Sequence, residues 1–239
     1  MKIPAGWDLP VEIASRLGQS VGRQRILVAE DHLLLVLHRL PDPNSAVREG
    51  VYFWRLPTGE WRASTGGVAL TALRGHIETY AKAIAALEER HERAASASDY
   101  FAVLEGIAPL DRATSNLAAT LQNAREAFPE AHELISLRDE TGDIERAAEL
   151  LQKSAKNALD FHIARQNEEQ SRLAFEAARA GNRLNVIAAI FLPLTAFAGV
   201  FGMNLRSGLE NAPPALFWAI FAFGTLFGVG LSVVVAGRK

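Results

Sequence analysis

Cysteine is absent from the 239 residues, so no disulfide framework organises the chain, and a reducing compartment suits its large N-terminal part. The first sixteen residues, MKIPAGWDLPVEIASR, contain no apolar run, so no secretory signal peptide is expected there. Proline is missing from Asp143 to Leu192, so nothing in that stretch forces a helix to break. There is no surplus of basic residues, since formal net charge is −2, and nothing suggests a nucleic-acid partner. No Ser-His-Asp set, phosphate-binding loop or glycine fingerprint is visible, so there is no case for an enzyme.

The most informative absence is charge. From Leu184 to Leu205 there are 22 residues without Asp, Glu, Lys, Arg or His, and from Asn211 to Gly237 there are 27 more. About 20 helical residues cross the hydrocarbon of a bilayer at 1.5 Å rise per residue. Buried core helices rarely stay free of charge for so long. Two membrane spans joined by a tight hairpin are therefore expected: 184–205 and 213–236, with 206–212 as the external loop. Mean hydropathy of +0.06 conceals this, because residues 1–183 hold 22 of the 25 basic and 26 of the 27 acidic side chains, which leaves −4 there. Arg165, Arg172, Arg179 and Arg183 precede the first run, Arg238 and Lys239 follow the second, and the loop has only Arg206. That asymmetry predicts both termini in the cytoplasm of a multi-pass protein in an inner or plasma membrane.

Residues 1–66 read as a small β-rich subdomain. RILVA and LLLVLHRL flank Glu30-Asp31-His32 as a hairpin, and VYFWRL and EWRAS flank Pro57-Thr58-Gly59 as another. A Pro-rich loop over 41–50 joins them. After Gly66-Gly67 the chain turns to Ala, Leu, Glu and Arg, which favour helix. A helical region over 67–142 is expected, with pieces near 68–93, 99–127 and from 130. Ser96, Ser98 and Asp99 offer N-caps, Pro109 is expected to interrupt or kink the second piece, and Pro129 to start the third. A pause is expected at Thr141-Gly142-Asp143.

A stalk helix follows over 143–183. If it runs unbroken into the first apolar run it spans 62 residues to Asn204, roughly 93 Å. Its apolar positions recur every three or four residues, from Ile144, Ala148, Leu151, Ala155 and Leu159 to Leu173, Ala177, Ala180 and Leu184. A helix of that length needs partners for such a stripe. They are the upstream helices and other copies of the same chain. Gly181 costs about 1 kcal/mol against Ala and reads equally as a hinge or as a close-packing position. Gly224 and Gly228 form a GxxxG in the second run, which suits a close helix approach as readily as the ordinary abundance of glycine in membrane helices.

The segment NRLNVIAAIFLPLTAFAGVFGMNL, 182–205, resembles the first transmembrane helix of the CorA family of divalent-cation channels. Ile190-Phe191, Pro193-Leu194-Thr195, Ala198-Gly199 and an aromatic residue before Gly202-Met203-Asn204 carry the likeness. The resemblance implies an α+β membrane protein, mostly α: a cytoplasmic funnel, a long stalk continuing into a pore-lining span, and an outer second span, assembled as a homopentamer in lipid. It implies that Gly202, Met203 and Asn204 form the selectivity element, with Asn204 meeting the ion through its bound water. Inward steps of three or four residues then predict a pore lining of Thr195, Leu192, Ala188, Leu184, Gly181, Ala178, Ala174, Ser171 and Asn167. Lipid contact or helix packing is the plain alternative for the two leucines.

The chain departs from the family where relatives tend to carry Asn and Met at the inner end of the pore helix, since Ala178 and Gly181 stand there. Its loop holds Arg206 and Glu210 and lacks the acidic stretch of Mg²⁺-handling relatives. The Asn-Leu-Arg-Ser-Gly-Leu run is also similar to the zinc-transporting ZntB branch. The expected function is a channel admitting hydrated Mg²⁺, which is cargo rather than a cofactor. The alternatives are transport of Zn²⁺, Co²⁺ or Ni²⁺, and a non-conducting membrane scaffold on the same fold. With no Cys, and no His in or near the apolar runs, direct dehydrated Zn²⁺ ligation in the pore is disfavoured. The remaining clusters read as structure before function: the 88–93 run around His91 as a solvated helix end, His162 near Asp160 as a helix-interface histidine. Asp139, Glu140 and Asp143 are acidic candidates with no spacing that selects them for regulation.

Overall fold

The computed structural model describes residues 3–18, 20–41, 49–203 and 213–237. The chain divides into two compact units, Met1–Ile163 and Ala164–Lys239.

In the first unit a four-stranded antiparallel meander runs β1 (Arg25–Ala29), β2 (His32–His38), β3 (Gly50–Arg55), β4 (Trp61–Ala63), in that spatial order. Both hairpins lie where the turn residues place them. Glu30 and Asp31 take φ of 49° and 58°, the positive values that a two-residue primed turn demands. The Pro-rich loop falls mainly on 42–48, outside the described residues.

β2 is apolar at every interior position because both faces of the sheet are covered. Leu33, Leu35 and Leu37, with Val51 and Phe53 from β3, point into one core. Leu34 and Val36, with Tyr52 and Trp54, point into another. Leu34 pairs with Trp54 and Leu35 with Phe53, so a slip of one residue would exchange the two faces. The second core is closed by Ile13 from a short helix, α1 (Val11–Ser15), which the sequence reading does not anticipate. Five residues are too few for a periodic signal.

The first core is shared with three helices: α2 (Ala69–Arg93), α3 (Ala97–Ala127) and α4 (Glu133–Phe201). In α2 the buried positions Leu73, Ile77, Tyr80, Ile84 and Leu87 recur every three or four residues, one stripe of a helix facing its core. A capping box starts α3: Ser96 Oγ accepts from the Asp99 N–H, and Asp99 Oδ2 accepts from the Ser96 N–H at 2.9 Å. The Ser96 hydroxyl, donating to the same carboxylate at 2.7 Å, and the backbone N–H groups of Ala95 and Ser96 hold the Asp99 carboxyl below its usual range.

Neither an interruption at Pro109 nor a pause at Thr141-Gly142-Asp143 occurs. α3 passes through Pro109 as a 31-residue helix. Proline removes the N–H that would bond the Glu105 carbonyl, but Glu105 lies on the exposed side, where water substitutes. Ile107 and Leu110 remain in the core on either side. α4 passes through Thr141-Gly142-Asp143 without a pause. Thr141, 1% exposed, donates its hydroxyl hydrogen bond back to the helix at the Leu137 carbonyl, 3.0 Å away, so it offers no competing turn. The helix also begins later than Pro129 suggests, at Glu133. Glu133 accepts from Trp61 Nε1 at 2.9 Å and from Arg55 Nε at 3.4 Å. Partial burial opposes ionisation of Glu133, yet the indole and guanidinium donors hold its carboxyl low. Arg55 also lies over the Phe128 ring. The first turn of α4 is thereby fastened to β3 and β4.

His76 of α2 lies between Phe53 and Tyr80, with ring centroids at 6.1 and 5.6 Å. Its Nε2 is buried without a partner. Burial lowers its pKa to about 4, opposed by a hydrogen bond to the His38 backbone. An unfolded histidine titrates near 6.5, so the unfolded chain binds the extra proton first as pH falls. Stability should be fully present above pH 6.5 and decline toward pH 4, by on the order of 3 kcal/mol. Denaturant titrations of the full chain in detergent, followed by tryptophan fluorescence, should show this slope and its loss in His76→Asn. An unchanged slope in the variant would assign the decline to other groups.

Candidate functional site

The second unit contains the C-terminal part of α4 and α5 (Pro214–Gly237). α4 includes a window of mean hydropathy 1.7, and among the described residues it is the helix long and apolar enough to cross a membrane. α5 is apolar from Pro214 to Gly230. The hydroxyls inside these segments bond to their own helices: Thr195 to the Phe191 carbonyl and Thr225 to the Phe221 carbonyl, both at 2.8 Å, and Ser232 to the Val229 carbonyl at 2.7 Å. Polar groups satisfied in this way are compatible with hydrocarbon.

Gly224 and Gly228 join the two helices. A Cβ on Gly228 would lie 2.8 Å from the Ile190 carbonyl oxygen and 3.0 Å from its Cα, closer than a side chain can approach. A Cβ on Gly224 would lie 3.3 Å from the Phe197 ring. The GxxxG therefore serves packing, which the sequence left undecided. Pro193 contributes to the same contact. It has no N–H for the Ala189 carbonyl, and that oxygen is 3.3 Å from the Gly228 Cβ position, where a Cα–H of glycine can meet it.

The face that α5 covers defines the face it leaves. At about 100° per residue, Ile190, Leu194 and Phe197 share one side of α4. Leu184, Ala188, Leu192 and Thr195 centre roughly 160° around the helix from them. Leu184 is 67% and Leu192 66% exposed, Thr195 is exposed and Ala188 half-buried. Among the described residues, nothing in this chain's own hairpin is seen to pack over Leu184, Leu192 or Thr195. Thr195 spends its hydrogen on Phe191 and keeps acceptor lone pairs, which suits it to receive hydrogen bonds from water.

Toward the N-terminus the same side continues through Ala178, Ala174, Ser171 and Asn167, all exposed, with Gly181 half-exposed. Among the described residues no atom outside its own stretch of helix lies within 4 Å of a Cβ placed on Gly181, so no close contact there explains that glycine. The charged residues gather on nearly the opposite side: Arg165, Glu169, Arg172, Glu176, Arg179 and Arg183 follow one another at spacings of four and three. Arg172 and Glu176 form an ion pair at 4.0 Å. This stripe leaves the predicted ion-facing side free of formal charge, a segregation legible in the sequence but not used in reading it.

At the C-terminal end α4 stops at Phe201. The Gly202 N–H bonds to the Ala198 carbonyl at 2.8 Å, and a Cβ on Gly202 would crowd that oxygen at 2.9 Å. Met203 is 57% exposed. Asn204, with the loop 206–212 and the basic pair Arg238 and Lys239, lies outside the described residues.

The remaining candidates lie in the first unit. His91 turns inward, its Nε2 3.0 Å from Ser154 Oγ and its ring edge-on to Tyr100 at 5.6 Å. Its neighbours Glu89 and Arg93 pair on the outside at 2.8 Å. His162 is half-buried, 6.4 Å from the Tyr100 ring. Asp139 pairs with Arg138, and Asp143 lines the same groove as Arg138 and Arg146. Among the described residues no group of three or more His, Cys, Asp or Glu side chains is placed to hold a metal ion.

A family model described as CorA-like Mg²⁺ transporter protein matches residues 11–238. No curated protein matches the chain. Among solved structures it is similar to the CorA magnesium transporter of Methanocaldococcus jannaschii, at 16% identity and TM-score 0.48, over 92% of this chain and 80% of that one. It is also similar to the ZntB cytoplasmic domain of Vibrio parahaemolyticus RIMD 2210633, at 12% identity and TM-score 0.55, over 67% of this chain and 80% of that one. The full-length CmaX protein matches at 17% identity and TM-score 0.41, over 87% of this chain and 77% of that one.

The glycine contact gives a direct test. Gly228→Leu should lower the melting temperature of the detergent-solubilised protein, since overpacking costs about 1–3 kcal/mol. Gly230→Leu, at a position with nothing within 4 Å, should leave it unchanged. Equal effects of the two would remove Gly228 from the helix contact.

Proposed function

The chain belongs to the CorA-like Mg²⁺ transporter family, and from that premise we propose that it is a homo-oligomeric, pentameric channel admitting hydrated Mg²⁺ to the cytoplasm. It is a divalent-cation transporter of that family, and the pore, the ring and the ion are our reading. In it α4 and α5 both span the bilayer of an inner or plasma membrane. The α4 sides of five copies surround the axis, and both termini lie in the cytoplasm.

The single observation that carries the reading is the side of α4 that α5 does not cover. It is uncharged and continuous from Asn167 to Thr195, exposed except at half-buried Gly181 and Ala188, and in sequence Gly202-Met203-Asn204 follow it. In a ring of copies that side turns toward the shared axis, where neutral and acceptor-bearing residues can meet water.

The chemistry follows from the residue types. Mg²⁺ surrenders its water reluctantly. Asn204 offers a neutral carbonyl acceptor, so a ring of five receives hydrogen bonds from the ion's waters without the deep well of a carboxylate ring. An ion must bind strongly enough to enter and weakly enough to leave. Thr195 adds a second ring of acceptor oxygens further in. Leu192 and Leu184 form apolar constrictions that resist ions by dewetting. The stalk beyond them, lined by Gly181, Ala178, Ala174, Ser171 and Asn167, presents small side chains and no fixed charge. A divalent ion moving inward through 100 mV gains about 4.6 kcal/mol, so no further energy source is required.

Purified protein in liposomes with Mg²⁺- and Zn²⁺-sensitive dyes tests the proposal. Wild type should pass Mg²⁺ under an inside-negative potential, and Asn204→Ala should lose most of that flux. Equal leak from wild type, variant and empty vesicles would favour the scaffold. Flux of Zn²⁺ without Mg²⁺ would assign the same conduit to the transition metal.

A further inference from the structure

We propose that His32 is a protonation-operated latch: its neutral ring fastens the N-terminal segment, residues 3–17, over the sheet face that bears the second core, and acid releases that segment. The device lies within the first unit and depends on neither the membrane nor the ion-conduction reading.

It is built around one indole. Trp54 of β3 is 2% exposed. Leu34 of β2 and Arg62 of β4 are its direct cross-strand partners. His32 lies two residues along β2 from Leu34, on the same side of the strand and within diagonal reach of Trp54. The Trp54 Nε1–H donates to His32 Nδ1 at 3.1 Å, and the two rings stack with centroids 5.5 Å apart. Over this face the N-terminal segment lays Ile3, Trp7, Leu9, Ile13 and Leu17. Trp7 meets Trp54 at 5.6 Å between ring centroids.

The hydrogen bond fixes the protonation state of its acceptor. An indole nitrogen can only donate, so Nδ1 must bring a lone pair, and His32 is the neutral ring with its proton on Nε2. His32 is half-buried, so a proton can reach it. An imidazolium carries N–H on both nitrogens, and no rotation of that ring presents an acceptor. Protonation therefore leaves the buried Trp54 N–H without the partner it has, an unfavourable state. The indole would attract a cation, but it already holds the Arg62 guanidinium at 5.3 Å, and Glu60 is paired with Arg62 at 3.4 Å. Arg55 of β3 turns to the opposite face, toward Glu133. Asp8 beside Trp7, and Glu30 and Asp31 in the β1–β2 turn, are exposed. Relief comes from water at the indole N–H, and Trp7 is the cover that must lift to admit it. The released state binds the proton more readily than the fastened one, so by linkage acid favours release.

Full-length protein in detergent, labelled with 5-fluorotryptophan, gives fluorine resonances for Trp7, Trp54, Trp61 and Trp218, each assigned by substitution with Phe. Between about pH 8 and about pH 5, where histidine charge changes, the Trp54 and Trp7 resonances should move with one midpoint and gain a shift between H₂O and D₂O. Trp61, which packs against the first core, should hold its position and so report that each variant is folded. His32→Gln, whose carbonyl accepts the indole hydrogen at any pH, should keep both resonances at their fastened positions throughout. His32→Phe, with no acceptor, should place them near the released positions already at about pH 8. A Trp54 resonance that does not move in the wild type, or that moves equally in His32→Gln, would overturn the latch. Movement of Trp54 with Trp7 unchanged would also overturn it, since the segment would then stay fastened.

Discussion

A long helix needs partners along its length, and α4 loses its partners midway. As far as Ala155 it is packed against α2, α3 and, through Glu133, the sheet. From Ile163 to Ala180 every residue is exposed. Isolated helices are marginal in water even with favourable composition, and Leu173 and Phe175 on this stretch are more than half exposed. In the further course of α4 a partner returns among the described residues, α5, and it covers one side. The rest of the molecule's organisation answers to this constraint: charge has been placed on one side of the stalk and withheld from the other. The glycines have been placed where α5 must approach.

In the proposed reading those two placements let one helix serve two solvents. Toward the N-terminal end of the stretch, Arg165, Glu169, Arg172, Glu176, Arg179 and Arg183 form a mixed-sign stripe that water can solvate. After Arg183 α4 carries no formal charge. The hydroxyls of Thr195 and Thr225 are returned to their own backbone, so neither of these donors would be stranded in hydrocarbon. Pro193 would weaken a soluble helix, and the Ala189 carbonyl it leaves without an N–H lies beside Gly228. The uncovered side combines small, neutral and acceptor-bearing residues. That chemistry suits a hydrated divalent ion better than a bare one.

Most of the architecture was legible because its signals were local. The two hairpins were marked by Glu30-Asp31 and Pro57-Thr58-Gly59, and the α2–α3 junction by Ser96 and Asp99. What sequence alone could not resolve were conflicts between local preference and tertiary contact. Pro109 and Thr141-Gly142 look like breaks, yet both lie in helices held by the core on either side, and packing prevailed over propensity. α1 was missed because five residues carry no period. The Gly224 and Gly228 pair was visible as a motif, but only the position of Ile190 distinguishes close approach from common composition. His91 looked like part of a solvated helix end, whereas its inward turn toward Ser154 depends on a residue 63 positions away. For the candidate site, the motif and the helical spacing named the residues. The location of α5, which leaves that side uncovered, required coordinates.

The central claim is that the uncovered side of α4 faces water around a symmetry axis. The absence of native cysteine permits a clean measurement. Single cysteines introduced from Leu184 to Val200 in the full chain, reconstituted in vesicles, are challenged with a membrane-impermeant thiol reagent. Reactivity should recur every three or four residues, with maxima at Leu184, Ala188, Leu192 and Thr195 and minima at Ile190, Leu194 and Phe197. A flat profile without reactivity, or maxima on the α5 side, would contradict a central aqueous path lined by this helix.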